Sequence, residues 1–315
     1  MQGFTGHKES ETHVRPLHSL KRRATSPRLQ PRNLLRSLRA LVDAGTIFAF
    51  WSQSRETARN FGDALNPILI ALLSGKRAIN SRHVANIAGR PVYSVIGSIL
   101  EKIDSHRTIV WGSGFMHDLR RPGVAPEAVL AVRGPLSRSN LVRAGIDCPE
   151  IYGDPALLCP LFFPANKLKT HELGIVPHYM DKNSPHLKRL SRDPAIFLID
   201  VEADPEKVIQ QINQCERIAS SSLHGLIVAD AYGIPSVWLR LSASVAGKGF
   251  KFRDYFASVG REEVQPIDVS EQTTIDDILS RFLPYEIEID TDMLLEVCPF
   301  YDRNHHPMIQ PTSPS

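Results

Sequence analysis

Cysteine is scarce in this sequence and long apolar runs are missing, and each absence excludes a class of protein. The four cysteines among the 315 residues form no Cys-x-x-Cys pair, which argues against a disulfide framework and a zinc site. No apolar window approaches the roughly 20 residues that a membrane-spanning helix needs. The N-terminal segment lacks the apolar stretch of a signal peptide. We therefore expect a cytoplasmic protein whose thiols fill apolar positions.

Common catalytic motifs are missing as well. The chain contains no G-x-G-x-x-G dinucleotide fingerprint, no G-x-x-x-x-G-K-[ST] phosphate loop and no G-x-S-x-G nucleophile elbow. Its twelve histidines form neither an H-x-x-x-H nor an H-E-x-x-H set. We expect a reaction without metal or resident cofactor, in which arginine, helix N-termini and histidine handle an anionic substrate.

Charge is distributed unevenly along the chain. Residues 1–42 hold nine lysines and arginines against two glutamates, a charge of +7, so the total of +3 leaves −4 for the remainder. Such a basic arm suits anionic lipid headgroups, which would place the protein peripherally at the inner face of the cell membrane. No aromatic residues alternate with the basic ones, so we expect no nucleic-acid partner. A solvated, flexible arm is the alternative.

Apolar runs alternate with amphipathic segments along most of the chain. The strand candidates of the first half include TIFAFWS, RTIVWGSGF and PEAVLAVRG, and its helix candidates include ALNPILIALLSG and PLSRSNLVRAG. The alternation restarts with HELGIVPHY after the linker CPLFFPANKLKT. Strands separated by helices predict parallel sheets with right-handed crossovers. The sequence thus predicts an α/β fold of two doubly wound, Rossmann-like domains facing a cleft.

This pattern divides the chain into four segments. We expect a flexible arm at 1–42, an N-terminal α/β domain at 43–165, a C-terminal α/β domain with terminal helices at 166–300, and a disordered tail at 301–315. Ligands of doubly wound sheets bind beyond the carboxyl ends of the strands. Candidate site residues are therefore sought where predicted strands end.

The stretch SSSLHG joins a predicted strand to a predicted helix. The first turn of a helix has unpaired backbone N–H groups and the positive end of the dipole, which attract an anion. Ser221 and Ser222 would add hydroxyl donors, Gly225 would permit close approach to the backbone, and His224 is suited to proton transfer. The alternative is a single capping serine beside a structural histidine.

Arg133 follows another strand candidate in AVRGPLSRSNL, just before a helix that begins at Pro135. A planar guanidinium at this edge of a sheet suits a phosphate or a carboxylate. Arg138 lies one helical turn further on and is a weaker second candidate. A plain surface arginine is the alternative for both.

Two further segments combine glycine with polar residues at chain turns. Asn60 and Asp63, in RNFGDALNP, either orient a sugar hydroxyl or catalytic group, or Asp63 simply caps the helix that follows. Gly112, Ser113 and Gly114, in VWGSGF, would let a ligand approach the backbone closely.

The two remaining segments are IYGDPALL and GKGFKFRDYFASVG. In the first, Gly153-Asp154-Pro155 predicts a structural turn near the domain junction. In the second, Lys248 and Lys251 either bind an anion or belong to a solvated loop, and the loop requires fewer assumptions.

Together these segments resemble the polysaccharide pyruvyl transferase family. The matching pieces follow the family's order over roughly residues 45–260 and are NFGDALNP, VWGSGF, VRGPLSR, IYGDPALL, SSSLHGLIVADAYGIPSVW and KFRDYFASVG. The spacing is most similar to that of bacterial exopolysaccharide members of the succinoglycan and xanthan type.

The resemblance implies a two-domain fold like that of GT-B glycosyltransferases. It implies transfer of pyruvate from phosphoenolpyruvate onto two hydroxyls of a sugar, often in a lipid-linked saccharide, with a cyclic ketal and phosphate as products. By the same resemblance, His224 is the general acid or base, Arg133 holds the donor's phosphate or carboxylate, and Asn60 and Asp63 organise the active site.

Two rival functions stay open at this stage. A GT-B glycosyltransferase would need an acidic residue for the ribose of a nucleotide sugar, and Glu202 and Asp204 are the candidates, although both could simply cap a helix. A non-catalytic glycan- or phosphate-binding homologue would be expected to lack His224 or Arg133, and both residues are present.

Overall fold

Two parallel sheets of five strands each form the framework of the molecule. The computed structural model describes residues 45–302, apart from 54–59, 84–88, 167, 243–244 and 262. The predicted arm 1–42 and nearly all of the predicted tail 301–315 therefore lie outside the described residues. The two sheets confirm the predicted α/β class.

The first sheet is built from the N-terminal half of the chain. Its strands are Thr46–Phe50 (β1), Arg77–Asn80 (β2), Val92–Ser94 (β3), Thr108–Trp111 (β4) and Ala128–Ala131 (β5). The helices beside it are Phe61–Ser74 (α1) and Pro135–Arg143 (α2), with 3-10 turns at Ser81–His83, Leu100–Lys102 and Pro155–Leu161.

The second sheet follows in the C-terminal half. Its strands are His171–Val176 (β6), Ile196–Leu198 (β7), Cys215–Ser220 (β8), Ser236–Arg240 (β9) and Ile267–Asp268 (β10). The helices are Pro185–Leu190 (α3), Pro205–Asn213 (α4), Leu223–Ala231 (α5), Phe250–Ser258 (α6), Ile275–Leu279 (α7) and Thr291–Glu296 (α8).

Both sheets have the same strand order. The first runs β2-β1-β3-β4-β5 and the second β7-β6-β8-β9-β10, so each reads 2-1-3-4-5 along its own segment of chain. All strands are parallel, and between the first and third strands the order in which the chain adds strands reverses, so that a crevice opens at the carboxyl ends of these two strands. The two crevices lie after β1 and β3 and after β6 and β8.

Helix α1 begins earlier than the sequence predicts. Asn60 is its N-cap residue, so Asp63 lies within the first turn and does not cap the helix. The side chain of Asp63 instead accepts hydrogen bonds from Asn60 Nδ2 at 2.7 Å and from the backbone N–H of Ser52 at 3.2 Å. Pro67 cannot donate to the carbonyl of Asp63, and Asn66 Nδ2 supplies a donor to that carbonyl at 3.3 Å.

Helix α6 replaces the loop that the sequence favours for GKGFKFRDYFASVG. Gly249, with φ 79°, precedes it in the left-handed region, and Phe250, Phe252 and Phe256 bury its apolar face. The glycines before the helix and the charged residues within it hid this helical period from the sequence analysis.

The two halves share buried apolar surface. The largest buried cluster contains Ile47 and Leu65 from the first half together with Ile218 and Leu226 from the second. The C-terminal helix α8 also packs beside the first sheet, where Trp111 Nε1 donates to the carbonyl of Leu294 at 2.9 Å. Joint burial makes the arrangement of the two sheets part of the stable fold.

The cysteines and the helix lengths agree with the sequence analysis. All four cysteines are free and buried, and burial raises the pKa of Cys148, Cys215 and Cys298 to about 12. No helix of the described residues has the length and apolar character to span a bilayer.

Candidate functional site

Polar and charged side chains from both sheets meet where the two crevices face each other. We call this set the polar cluster, and its members are Asp63, Asp154, His178, Asp181, His224 and Lys251. Electrostatic coupling joins Asp63 to His224, His178 to both His224 and Lys251, and Lys251 to Asp63 and Asp181. Asp63, Asp154, His224 and Lys251, which lie in four separate segments of the sequence, thus share one site with His178 and Asp181.

His224 and Asp154 form a buried pair that crosses between the two halves. His224 Nε2 lies 3.6 Å from Asp154 Oδ2, and the two side chains are 11% and 0% exposed. Both atoms are buried and neither has a hydrogen-bond partner among the described residues. The other carboxylate oxygen of Asp154 accepts from the N–H of Ala156 at 3.0 Å, which fixes the carboxylate. Catalytic hydrogen bonds are often long before a substrate binds, so this geometry suits a histidine oriented by a carboxylate.

Gly62 in the first turn of α1 makes room for the imidazole of His224. A Cβ at Gly62 would lie 2.0 Å from His224 Nδ1 and 2.1 Å from Cε1, which no real contact allows. The glycine of the NFGD segment is therefore a packing partner of the histidine of the SSSLHG segment. This contact explains why the position lacks a side chain.

The three serines before α5 differ in their hydrogen bonds. Ser220 Oγ contacts the carbonyl oxygens of Val176 and Ser222 at 2.8 and 2.7 Å. Ser221 Oγ donates to Asp181 Oδ2 at 2.7 Å and accepts from the N–H of His178 at 2.8 Å. The hydroxyl of Ser222 makes no cap bond to α5. Ser220 and Ser221 therefore connect strand ends, whereas the hydroxyl of Ser222 takes no part in these bonds.

His178 lies immediately beyond β6 and is a member of the site that the sequence analysis missed. Its Nδ1 accepts from the N–H of Met180 at 3.3 Å, which requires an unprotonated nitrogen. Burial, with help from Lys251 and His224, lowers the pKa of His178 from 6.5 to about 3. The imidazole is neutral at physiological pH. The rule that ligands bind beyond strand ends would have found this residue in VPHY.

Asp63 also has a shifted pKa. Burial raises the pKa of this carboxyl, although the hydrogen bond from Asn60 and the charge of His224 both lower it. Asn60 thus bonds to Asp63, and Asp63 interacts electrostatically with the histidine, whereas the roles of both as active-site organisers remain predictions.

Arg133 is placed differently from the sequence expectation of an open fork. Its side chain and that of Asp254 on α6 are both 0% exposed, with Nη2 2.8 Å from Asp254 Oδ2. Nε donates to the same carboxylate at 3.0 Å, Nη1 to Ser98 Oγ at 2.6 Å and Nη2 to the carbonyl of Phe115 at 2.7 Å. Asp254 also accepts from the backbone N–H and hydroxyl of Ser137. The guanidinium is enclosed in a protein network at the start of α2.

The glycines expected to admit a ligand admit protein atoms instead. A Cβ at Gly112 would lie 2.2 Å from Pro155, one at Gly114 2.5 Å from Arg133, and one at Gly225 2.5 Å from Ser220 Oγ. Ser113 is also buried, and its hydroxyl bonds Ser94 Oγ at 2.8 Å. These residues bring the segments of the site into contact with one another.

The two predicted lysines have opposite environments. Lys248 is exposed, with φ 45° in the left-handed region, and borders a cavity of about 410 Å³ that Ser221 and Phe252 also line. Lys251 on α6 is only 6% exposed. Burial and the charge of Arg133 lower its pKa from 10.5 to about 8, against the opposing influence of Asp63 and Asp181. Lys251 is thus in the site, and Lys248 lies at the rim of the neighbouring cavity.

The acidic candidates for a ribose contact are engaged elsewhere. Glu202 lies 2.5 Å from Lys182 Nζ, and Asp204 caps α4 by accepting from the N–H of Glu206 at 3.0 Å. Arg138 likewise pairs with Glu150 at 3.1 Å. No group of three or more potential metal ligands occurs in the described part of the chain.

Comparison with known proteins agrees with the motifs. The polysaccharide pyruvyl transferase family model matches residues 60–242, more than half of the chain. Uncharacterized protein L143 of Acanthamoeba polyphaga mimivirus is 29% identical over 212 residues, which cover 65% of this chain and 73% of the viral protein. Succinoglycan biosynthesis protein ExoV of Rhizobium meliloti is 29% identical over 208 residues, 64% of this chain and 62% of ExoV.

A solved structure shows a weaker similarity. It is the functionally uncharacterized Klebsiella pneumoniae protein KP1_0663, which is 9% identical, with a TM-score of 0.43 over 76% of this chain and 97% of the other. The family match rests on the segment that carries Asn60, Arg133 and His224, and the chain belongs to the polysaccharide pyruvyl transferase family.

Proposed function

We propose that the protein transfers pyruvate from phosphoenolpyruvate to two hydroxyls of a sugar residue, forming a cyclic ketal and releasing phosphate. The observation that carries this proposal is the buried pair of His224 and Asp154, with unsatisfied polar atoms facing each other at the meeting point of the two sheets. Membership in the family and similarity to a succinoglycan biosynthesis protein support a saccharide of an exopolysaccharide or cell-surface glycan as the acceptor.

The proposed reaction has two stages, an addition to the double bond of phosphoenolpyruvate and a displacement of phosphate. In the first, the methylene carbon of phosphoenolpyruvate gains a proton and one sugar hydroxyl adds to the adjacent carbon, losing its own proton. In the second, the bond from that carbon to the phosphate oxygen breaks and the second hydroxyl closes the ring. One hydroxyl proton is balanced by the new methyl group and the other by the released phosphate.

His224 is suited to move these protons because one residue can act as acid and base in turn. A hydrogen bond from Nε2 to Asp154 would fix the tautomer and leave Nδ1 as the proton-accepting nitrogen. Asp154 is then a positioning residue, although its segment predicts only a turn. The unpaired N–H groups at the start of α5 and the Ser222 hydroxyl are available to stabilise negative charge on the departing phosphate.

We also propose a GT-B-like arrangement of two domains, 43–165 and 166–300, with the site between them. The matching strand orders and the contact of Gly62 with His224 support this arrangement. The lipid-linked acceptor and a membrane contact through the arm 1–42 remain further proposals.

The test is release of phosphate from phosphoenolpyruvate that depends on an acceptor glycan. We expect His224→Gln to lower turnover by about 10²- to 10⁴-fold, the usual size of a general acid–base contribution. Asp154→Asn should lower kcat with little change in KM, since it disturbs the orientation of the imidazole. Near wild-type turnover in His224→Gln would exclude the assigned role. Release of a nucleoside diphosphate from a nucleotide sugar would instead indicate the glycosyltransferase alternative.

A further inference from the structure

Lys251 is a buried cation without a protein partner for its charge. Its side chain is 6% exposed, and no ion pair or hydrogen bond joins Nζ to another described residue. Nζ lies 5.3 Å from the centroid of the Phe252 ring. An isolated buried ammonium is costly unless an anion compensates it. The surroundings of Lys251 therefore indicate a ligand that carries negative charge.

Nearby carboxylates do not perform this task. Asp181 is occupied by the hydroxyls of Ser221 at 2.7 Å and Ser242 at 2.5 Å. Asp63 is held by Asn60 Nδ2 and the N–H of Ser52. Both act on Lys251 through space, without forming an ion pair within 4 Å.

Arg133, in contrast to Lys251, is a buried cation whose charge is paired within the protein. Its guanidinium is fully buried and bonded to Asp254, Ser98 and Phe115, so a ligand could reach it only by breaking that network. Asp254 lies three residues after Lys251, on the same helix α6. Residues three apart lie on neighbouring positions of a helix face, so the ion pair also fixes the rotation of Lys251 about the helix axis.

We propose that the ε-ammonium of Lys251 binds the oxyanion of the phosphoenolpyruvate donor directly, and that Arg133 is a positioning residue that fixes α6 through Asp254. This assignment rests on the proposed function, because the ligand is the donor named there. It reverses the order that the sequence suggests, in which Arg133 is the favoured anion contact and Lys251 the weaker candidate.

Calorimetric titration of the full-length protein with phosphoenolpyruvate tests this assignment. Loss of a charge-assisted hydrogen bond should weaken binding by about 10- to 100-fold in Lys251→Met. The same substitution at Lys207, an exposed lysine on α4, is the matched control and should bind like wild type. Inorganic phosphate and pyruvate are second and third probes, and the one whose affinity falls in Lys251→Met identifies the group of the donor that the amine contacts.

The pH dependence supplies a second readout. As the pH rises through about 8, Lys251 loses its proton, so wild-type affinity should fall by up to about tenfold per pH unit above that value. Arg133, Asp63, Asp181, His178 and His224 are the charged and titratable groups around the amine. Lys251→Arg keeps these neighbours and keeps its own charge, so its affinity should stay nearly level from pH 7 to 9.5.

Thermal unfolding separates ligand binding from a structural role. Methionine is apolar and similar in length, so Lys251→Met should unfold at the wild-type temperature or above it. A large fall in unfolding temperature, or unchanged affinity for phosphoenolpyruvate, would overturn the assignment of Lys251. If wild type binds neither phosphoenolpyruvate nor phosphate at any pH, the proposed donor fails as well.

Discussion

Two buried cations of this protein, Arg133 and Lys251, differ in how their charges are compensated. Arg133 is enclosed with Asp254 and donates to two other groups besides, Ser98 Oγ and the carbonyl of Phe115, and both members of the ion pair are 0% exposed. Lys251 lies one turn away from Asp254 on α6, and no described residue pairs with it. A satisfied buried charge stabilises one arrangement of the chain, whereas an unsatisfied one is available to a ligand.

The same distinction applies to the other groups of the site. Ser220, Ser221 and Asp181 are saturated by hydrogen bonds within the protein. The facing atoms of His224 and Asp154 lack such bonds. Natural proteins tolerate unsatisfied polar atoms mainly where function requires them. Hydrogen-bond satisfaction therefore separates a supporting frame from the two groups that we propose to be reactive, His224 and Asp154.

The largest effect on stability should come from removing the buried ion pair of Arg133 and Asp254. Arg133→Met leaves the Asp254 carboxylate buried without its countercharge, and we expect a loss of about 3–5 kcal/mol in the free energy of unfolding. Urea titration followed by tryptophan fluorescence measures this loss. The double variant Arg133→Met/Asp254→Leu should recover part of it, because no unpaired buried charge remains.

One result for Arg133→Met would contradict its assignment as a positioning residue. If Arg133→Met keeps wild-type stability and loses only phosphoenolpyruvate binding, the guanidinium is a ligand-binding group, as the sequence alone suggested. The comparison between the two cations would then be reversed.

A second, smaller effect, a loss of turnover, should follow from placing a side chain against His224. Gly62→Ala places a methyl group 2.0 Å from the present position of His224 Nδ1, so the imidazole has to move. A displacement of about 1 Å can reduce turnover by about 100-fold. Stability should change by only about 1 kcal/mol, since alanine is a better helix former than glycine and offsets part of the cost of the clash in the first turn of α1.

A matched glycine provides the control for Gly62. At Gly145, with φ 75°, a Cβ meets no atom within 4 Å. Gly145→Ala should cost about 1 kcal/mol of backbone strain and leave turnover unchanged. Equal turnover in the two variants would show that the fit of glycine against His224 is unimportant for the reaction.

The fold was largely predictable because its signals are local. Apolar strands alternate with helices, and the structure confirms strands β1, β4, β5, β6 and β8 and helices that begin at Pro135 and Leu223. Helix α6 was missed because its segment has the composition of a loop. Two glycines, Gly247 and Gly249, precede the helix, and charged residues lie within it. The short strand β2 was missed because Arg77–Asn80 carries little apolar character.

The candidate site was predictable in its location and only partly in its roles. The rule that strand ends carry ligands identified His224 and the serines, and it applies equally to His178. The pairing of Arg133 with Asp254, 121 residues apart, has no local signal. For the same reason, Asp154 reads as a turn residue until the structure places it beside His224. Local patterns indicate which residues reach the site, whereas only tertiary contacts decide which of them are already satisfied.

The smallest effect concerns the neutral imidazole of His178 and its dependence on pH. Its pKa is lowered to about 3 in the folded protein from 6.5 in the unfolded chain, so between these values the unfolded chain binds a proton that the folded protein does not. Its contribution to stability is therefore complete above pH 6.5 and is lost as the pH falls. Asparagine can keep the acceptor for the N–H of Met180 without titrating. Between pH 7 and pH 5, His178→Asn should lose about 2 kcal/mol less than wild type in urea unfolding. Parallel losses in both proteins would mean that His178 is protonated equally in the folded and unfolded states, and that the site is wetter than the burial of its residues implies.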